Sequence, residues 1–339
     1  MPSNTAAWQV AQAKPLEVGP AEYTHPAEHE IVVKSCAVAI NPVDWFMQDS
    51  PPFPLKYPTP LGQDVAGEVV EVGSAVTRFR VGDRVLGHAV GVVSQRNCDQ
   101  AFQQYCVLVD NLVSPIPGSM SFEAASVLPL ALSTAACGMY EKEYLNLQVP
   151  SVTPKPTGQV LLVWGGASSV GSNGIQLGVA SGYEVFATAS AKNFDYVKKL
   201  GASQVFDYRS KTVVDELVEA LKGRTIAGVL DCVTINGVAE MCAEVLSRSE
   251  GRKFISTAQA FVSDELPGGV TLKFIFGLSL KDNELSKVVY EDFLPQALAE
   301  GTFVPAPEPE VVGKGLHAIQ DGLDAQRKGV SAKKIVISL

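Results

Sequence analysis

Val163 to Ser210 reads VWGGASSVGSNGIQLGVASGYEVFATASAKNFDYVKKLGASQVFDYRS. An apolar run breaks into small residues, Gly165, Gly166, Ala167, Ser168, Ser169, Val170 and Gly171, and resumes at helical spacing. A strand that turns so tightly into a helix aims the helix N-terminus back across the strand ends. Small residues there let phosphate approach the backbone, so the stretch predicts a dinucleotide cradle with a helix from about Ser169. The spacing from Gly166 to Gly171 departs from GxGxxG, and a glycine-rich turn alone serves equally as punctuation between elements.

The downstream sequence gives the turn its meaning. Strands VLLVW, EVFATA, QVFDY and GVLDCV alternate with helices as far as VAEMCAEVLS, and KFIST closes the series. Four βα units and a closing strand predict a parallel sheet with helices on both faces. The second strand bears on cofactor choice. A carboxylate at its end would bind a ribose 2′-hydroxyl and repel a 2′-phosphate, whereas here stand neutral Ser190 and then Lys192. That favours NADPH over NADH, with Asn193 beside them and Tyr208 and Arg209 at the end of the third strand able to close the pocket. The competing reading of Lys192 is a solvated first-turn lysine.

The first third differs in texture. EIVVKSCAVAINP alternates, DVAGEVVEVGSAV suggests two short strands around a glycine, and VGDRVLGHAV follows a turn, together predicting a partly closed β-barrel. From Ser121, SFEAASVLPLALSTAACGMYEKEYL reads as helix with Ser121 as N-cap. After TLKFIFG two helices are expected, around Glu291 to Glu300 and Lys314 to Gln326, then a last strand KKIVIS.

The 339 residues carry 27 basic and 36 acidic side chains, a net charge of −9 without long runs of one sign, so nothing steers the chain toward nucleic acid or anionic lipid. No 18-residue apolar segment and no signal peptide are expected, which makes the cytoplasm the default. The six cysteines lack CxxC pairing and read as reduced, buried thiols.

AVAINPVDW (37–45), LGQDVAGEVVEVGSAVTRFRVGDRV (61–85), LPLALSTA (128–135), GGASSVG (165–171), KNFDYVKKLGASQVFDYRS (192–210) and SAKKIVIS (331–338) together resemble the medium-chain dehydrogenase/reductase superfamily. Within it they resemble the zinc-free quinone oxidoreductases and the fungal trans-acting enoyl-reductase-like proteins. The resemblance implies a GroES-like domain at 1–125, a Rossmann NADPH-binding domain at 126–280, and a return segment at 281–339 completing the first.

It also implies roles. Asn41, Asp44 and Trp45 lie on a loop facing the nicotinamide ribose in relatives, and Thr134 matches a position beside the nicotinamide. Asn41-Pro42 reads equally as an ordinary turn. Ser331, Lys333 and Lys334 match a closing cofactor-contact motif, with an edge guard of lysines as the alternative. The zinc-dependent branch uses a Cys near AVAINPVD, a His in GHE and a four-cysteine loop. Here Asn41 to Asp44 and Gln63 occupy the first two places, and only Cys98 and Cys106 lie in the third, so no metal is expected.

Without a Lewis acid, hydride delivery to a conjugated C=C is favoured over alcohol oxidation. The leading reading is therefore an NADPH-dependent enoyl or enone reductase, with a quinone reductase and a non-catalytic NADPH-binding scaffold as alternatives. Phe46, Phe53, Tyr57, Leu130, Phe274 and Phe276 are candidate walls for a small apolar enoyl or quinone substrate, each equally at home as plain core. Fungal relatives often carry Lys where Phe46 stands, which removes a possible cofactor contact. A carrier or synthase partner, and a monomer or dimer, are compatible with the resemblance.

Overall fold

The computed structural model describes residues 3–52, 54–233, 235–260 and 266–339; Phe53, a candidate substrate wall, lies outside them. The chain begins with β1 (Asn4–Gln9), β2 (Glu17–Ala21), β3 (Glu30–Ala39), α1 (Pro42–Asp49), β4 (Thr59–Pro60), β5 (Asp64–Val72) and β6 (Arg84–His88). The short α2 (Gly91–Ser94), β7 (Tyr105–Val109), β8 (Val113–Pro115), α3 (Phe122–Ser126) and α4 (Pro129–Tyr140) come after it. Next come β9 (Gln159–Trp164), α5 (Ser169–Ala180), β10 (Glu184–Ala189), α6 (Phe194–Lys199), β11 (Gln204–Asp207), α7 (Val213–Ala220), β12 (Thr225–Asp231) and α8 (Val238–Ser247). The remainder holds β13 (Glu250–Gly251), β14 (Phe254–Thr257), β15 (Thr271–Phe274), α9 (Leu294–Glu300), β16 (Glu308–Lys314), α10 (Ile319–Arg327) and β17 (Lys333–Ser338). These elements form two compact units, Met1–Leu130 with Tyr290–Leu339, and Ala131–Val289.

In the first unit β3 is the hub, pairing antiparallel with β5, β7 and β17 in a sheet ordered β16-β17-β3-β5-β6-β8. Register shifts between Val32 and Val33 and between Ser35 and Ala37 bend it. A second sheet, β2-β1-β4, shares the same core: Ala7 of β1 packs with Ile31, Val33, Val65, Val85 and Leu108 of the larger sheet. The expected pair of short strands around a glycine is one strand, β5. Gly67 sits inside it because a Cβ there would stand 2.0 Å from the Lys34 carbonyl oxygen.

The expected loop after β3 is helix α1. Pro42 supplies a preset first-turn φ, Asn41 precedes it in extended conformation, and the Asp44 carboxylate accepts the Asn41 backbone N–H at 2.7 Å. Ser121 caps α3 as expected, its Oγ accepting from the Ala124 amide at 3.1 Å. The stretch Phe122–Tyr140 is long and apolar enough to cross a membrane by length and composition, against expectation, but 78% of it is buried as in a core helix.

The second unit is a parallel sheet ordered β11-β10-β9-β12-β14-β15, with β13 beside β12. The order reverses direction at β9, which makes the carboxyl ends of β9 and β12 the switch point. Its core includes Leu162, Trp164 and Phe186 with Leu217 of α7 and Leu246 of α8.

Strands β1, β2, β4, β7, β8, β13, β15 and β16 have no counterpart in the sequence reading, and the last two redraw the C-terminal part. β15 extends the parallel sheet beyond β14, and β16 runs parallel to β17 through Lys314, so the last helix starts at Ile319 rather than Lys314. The preceding helix starts at Leu294, after a π-helical stretch Lys287–Phe293. All six cysteines are free; Cys106, Cys137, Cys232 and Cys242 are buried, and Cys36 and Cys98 half-buried.

Candidate functional site

In the second unit the glycine turn is pinned to β10. The Gly165 N–H donates to Thr188 Oγ1 at 3.0 Å, and the Gly166 N–H donates to the Thr188 carbonyl at 2.8 Å. Ser168 caps α5, its Oγ accepting the Gly171 amide at 3.0 Å. The other first-turn amides, those of Ser169 and Val170, lack acceptors within the helix and sit at its positive end. Ala167, Ser168, Ser169 and Val170 are half-buried, whereas Gly166 and Gly171 are buried. A backbone cradle of this kind, with the space beside Gly171 too small for a Cβ, fits a pyrophosphate.

Ala189 pairs with Asp207 in the β10–β11 register, so Ser190 and Tyr208 leave the sheet at the same edge. Ser190 is buried and its Oγ accepts from Asn193 Nδ2 at 3.2 Å. Lys192 is exposed in the turn beyond it, Tyr208 is exposed, and the Arg209 guanidinium lies 5.5 Å from the Tyr208 ring centroid. The one carboxylate at these two strand ends, Asp207, accepts the Arg209 amide at 3.0 Å. Hydroxyls, an amide and two cations at this edge suit a 2′-phosphate.

Sequence reasoning missed a neighbouring pair. Asp231 ends β12 opposite Trp164 of β9; its Oδ2 accepts from Thr257 Oγ1 at 2.8 Å and its Oδ1 from the Val233 amide at 3.3 Å. Burial pushes its carboxyl up to about 6, against the pull of those hydrogen bonds. The available signal was an Asp closing an otherwise apolar strand, GVLDC. In the same unit Thr134 is buried on α4 against Gly277, where a Cβ would lie 2.6 Å from Thr134 Oγ1. Phe274 and Phe276 are exposed, and Tyr144 holds the backbone here by donating its OH to the Phe274 carbonyl at 2.9 Å.

The first unit holds a buried polar cluster. Asn41 Nδ2 donates to Asp64 Oδ2 at 2.8 Å, Lys334 Nζ donates to Asn41 Oδ1, and Lys334 Nζ stands 3.0 Å from Asp64 Oδ2. The other Asp64 oxygen accepts the Leu130 amide at 2.6 Å. The resemblance gives Asp64 no role and Lys334 only a closing cofactor contact, yet these two tie Asn41, to which it does give a role, to Leu130, a candidate substrate wall. Lys333 points outward to an ion pair with Glu308, and Ser331 is exposed.

On α1, Trp45 is half-buried with the Arg327 guanidinium 5.8 Å from its ring, and its neighbour Phe46 is exposed and edge-on at 6.4 Å. Tyr57 is half-buried, and its hydroxyl is buried with no hydrogen-bond partner among the described residues.

Burial pushes the Asp44 carboxyl up from 3.8 to about 7; the Asn41 amide opposes this and the nearby Asp64 adds to it. The folded protein thus holds the Asp44 proton more tightly than the unfolded chain. Its stabilising contribution is complete below about pH 4 and is lost as the pH rises to about 7. In Asp44→Asn the amide oxygen can still accept the Asn41 N–H. The melting temperature of this variant relative to wild type is therefore expected to climb across that window, and a difference that stays flat would refute the assignment.

Gln63 and His88 are buried together, Gln63 Oε1 lying 3.2 Å from His88 Nε2, and burial pushes the imidazole down to about 4. Among the described residues no group of three or more His, Cys, Asp or Glu side chains is placed to hold a metal ion.

Residues 27–156 match the family model described as the alcohol dehydrogenase GroES-like domain, and residues 169–267 match that of the zinc-binding dehydrogenases. The dehydrogenase pigH of Monascus ruber is 50% identical over 371 residues, covering 100% of both chains. The trans-enoyl reductase himH of Aspergillus japonicus is 43% identical over 99% of this chain and 97% of its own. Among solved structures, an alcohol dehydrogenase superfamily protein from Novosphingobium aromaticivorans superposes with a TM-score of 0.81 at 25% identity, over 99% of each chain. A glycine-opened parallel sheet, a bent antiparallel unit closed by the C-terminal strand, and these matches agree: the chain is an oxidoreductase-type member of the medium-chain dehydrogenase/reductase superfamily, built from a GroES-like domain and a Rossmann domain.

Proposed function

We propose that the protein is an NADPH-dependent, metal-free reductase that acts on the conjugated C=C of an enoyl or enone substrate. One observation carries the cofactor choice: β10 ends in Ser190 rather than a carboxylate, with Lys192, Asn193 and Tyr208 around it. The 43% identity to a trans-enoyl reductase supports the reaction class, and an enoyl thioester presented by a carrier or synthase in the cytoplasm is the substrate form that fits it.

When bound, NADPH supplies the hydride for the β-carbon of the alkene. The residues of the chain do the rest. Ala167, Ser169 and Val170 present backbone to the pyrophosphate, Ser190 and Lys192 receive the 2′-phosphate, and Thr134 of the same unit orients the nicotinamide end. Asp44 holds a proton near neutral pH; Phe46, Tyr57 and Leu130 in the first unit, and Phe274 and Phe276 in the second, each offer apolar surface to a substrate. Because Phe46 cannot titrate, it contributes by packing alone. Gln63 in place of a zinc-binding His is the ground for metal independence.

Stopped-flow NADPH oxidation with a panel of enoyl thioesters and quinones, with and without a chelator, tests this. Fastest turnover with an enoyl thioester, unaffected by chelation, is expected. Turnover with quinones only would make it a quinone reductase, and tight NADPH binding without turnover a non-catalytic binder.

Lys192→Ala is expected to weaken NADPH about tenfold, the size of one charge-assisted contact to a phosphate, while leaving NADH within about twofold. Fluorescence titration with both cofactors measures this; equal losses would reject the 2′-phosphate assignment.

A further inference from the structure

An asparagine side chain can turn end for end at almost no steric cost, because its oxygen and nitrogen are nearly the same size. The chemistry of its partners fixes it. Around Asn41 those partners are an ammonium, which can only donate, and a carboxylate, which can only accept. Lys334 Nζ donates to Asn41 Oδ1, Asn41 Nδ2 donates to Asp64 Oδ2 at 2.8 Å, and the triangle closes with Lys334 Nζ 3.0 Å from the same Asp64 oxygen. Turning the amide over would set N–H against ammonium and oxygen against carboxylate. The three residues are 1%, 0% and 2% exposed for Asn41, Asp64 and Lys334, so water cannot soften either clash.

The arrangement also fixes two helix starts. Asn41 immediately precedes α1, which carries Asp44, Trp45 and Phe46. The second Asp64 oxygen accepts the Leu130 amide, at the start of α4, at 2.6 Å. A carboxylate at that place also complements the positive end of the helix. Three distant parts of the chain, the segment joining β3 to α1, the first residue of β5 and the second residue of β17, meet to do this. A buried ion pair is a poor device for stability alone, since apolar side chains of similar volume serve as well or better.

We propose that Lys334 and Asp64 are positioning residues that lock the side-chain amide of Asn41 in one orientation and thereby set the start of α1. The kinetic consequence rests on the enoyl-reductase reading; the orientation itself does not.

Selective ¹⁵N-asparagine labelling, with Asn41→Ala to identify the signal, reports on the amide directly. In the wild-type protein the Asn41 Nδ2 protons are expected to exchange slowly with solvent. In Lys334→Met, and in the double variant Asp64→Asn with Lys334→Met, which carries no buried charge, they are expected to exchange at least about tenfold faster. Unchanged exchange in either variant would overturn the proposal. So would failure of both variants to fold, which would assign the pair to stability.

In turnover, Lys334→Met is expected to lose about tenfold in kcat with NADPH affinity within about twofold, and Asn41→Ala with Lys334→Met to lose no more than Asn41→Ala alone. Independent, multiplying losses would show that Lys334 does not act through Asn41. Should the wild-type protein reduce no acceptor, the proposed function fails while the exchange measurement still decides the role of Lys334.

Discussion

Gly171→Ala is expected to weaken NADPH binding by about a hundredfold while the protein remains folded. A Cβ at this position would stand 2.2 Å from the Gly165 carbonyl oxygen and 2.8 Å from the Gly166 Cα. Both are backbone atoms held by Thr188, through the Gly165 and Gly166 amides, so neither can swing aside as a side chain would. Relief comes only by moving the first turn of α5 away from the strand. That movement breaks the Ser168 cap on the Gly171 amide and shifts the Ser169 and Val170 amides off the pyrophosphate. Repacking strain of this kind lowers stability by roughly 1–3 kcal/mol, whereas the two misplaced amides, at about 1.4 kcal/mol each, account for the stated fold-change in affinity. The control is Gly118→Ala, where nothing lies within 4 Å of the added carbon. Titration of NADPH fluorescence, with a melting curve for each variant, reads the result. Affinity within twofold of wild type in Gly171→Ala would remove the glycine turn from the cofactor site.

The glycine turn is also the part of the molecule most legible in the sequence. Strand-to-helix turns have local causes, so a helix start near Ser169, Gly166 and Gly171 as contact points and Ser190 at the strand end could be read from neighbouring residues alone. The buried cluster could not. Asp64 and Lys334 lie 23 and 293 residues along the chain from Asn41, and no periodicity links the three. The alternation of β17 decides which of two adjacent lysines turns inward, and a one-residue difference sends Lys333 to solvent and Lys334 to the cluster.

Other misreadings have equally specific causes. NPVDW carries a turn signature and a helix-start signature at once, and the Asp44 carboxylate on the Asn41 amide settles it as a helix start. β16, EPEVVGK, is a mostly exposed edge strand with a proline and three charges, so its composition resembles a loop. β15 is only four residues long, TLKF, and half-exposed, too short for a period to show.

Asp64→Ala is expected to destabilise the protein by about 3–5 kcal/mol, the cost of stranding one member of a buried pair. The change removes the acceptor of three groups at once: Lys334 Nζ, Asn41 Nδ2 and the Leu130 amide. Lys334 is 2% exposed and retains the Asn41 oxygen as acceptor, so water does not replace the carboxylate, and the nearby Asp44, whose proton burial holds, is only a partial countercharge. At roughly 2–4 °C per kcal/mol for a domain of 150–250 residues, the melting temperature should fall by about 10 °C. Adding Lys334→Met to Asp64→Ala takes away the stranded charge, and most of the loss should return, leaving the Leu130 amide and the Asn41 side chain as the residual cost of about 1–3 kcal/mol. Thermal unfolding of the two variants beside Lys334→Met completes a double-mutant cycle whose coupling term isolates the pair. A single variant that melts within about 2 °C of wild type would show the charge to be hydrated in solution. A double variant less stable than Asp64→Ala would show that Lys334 is held by something other than Asp64.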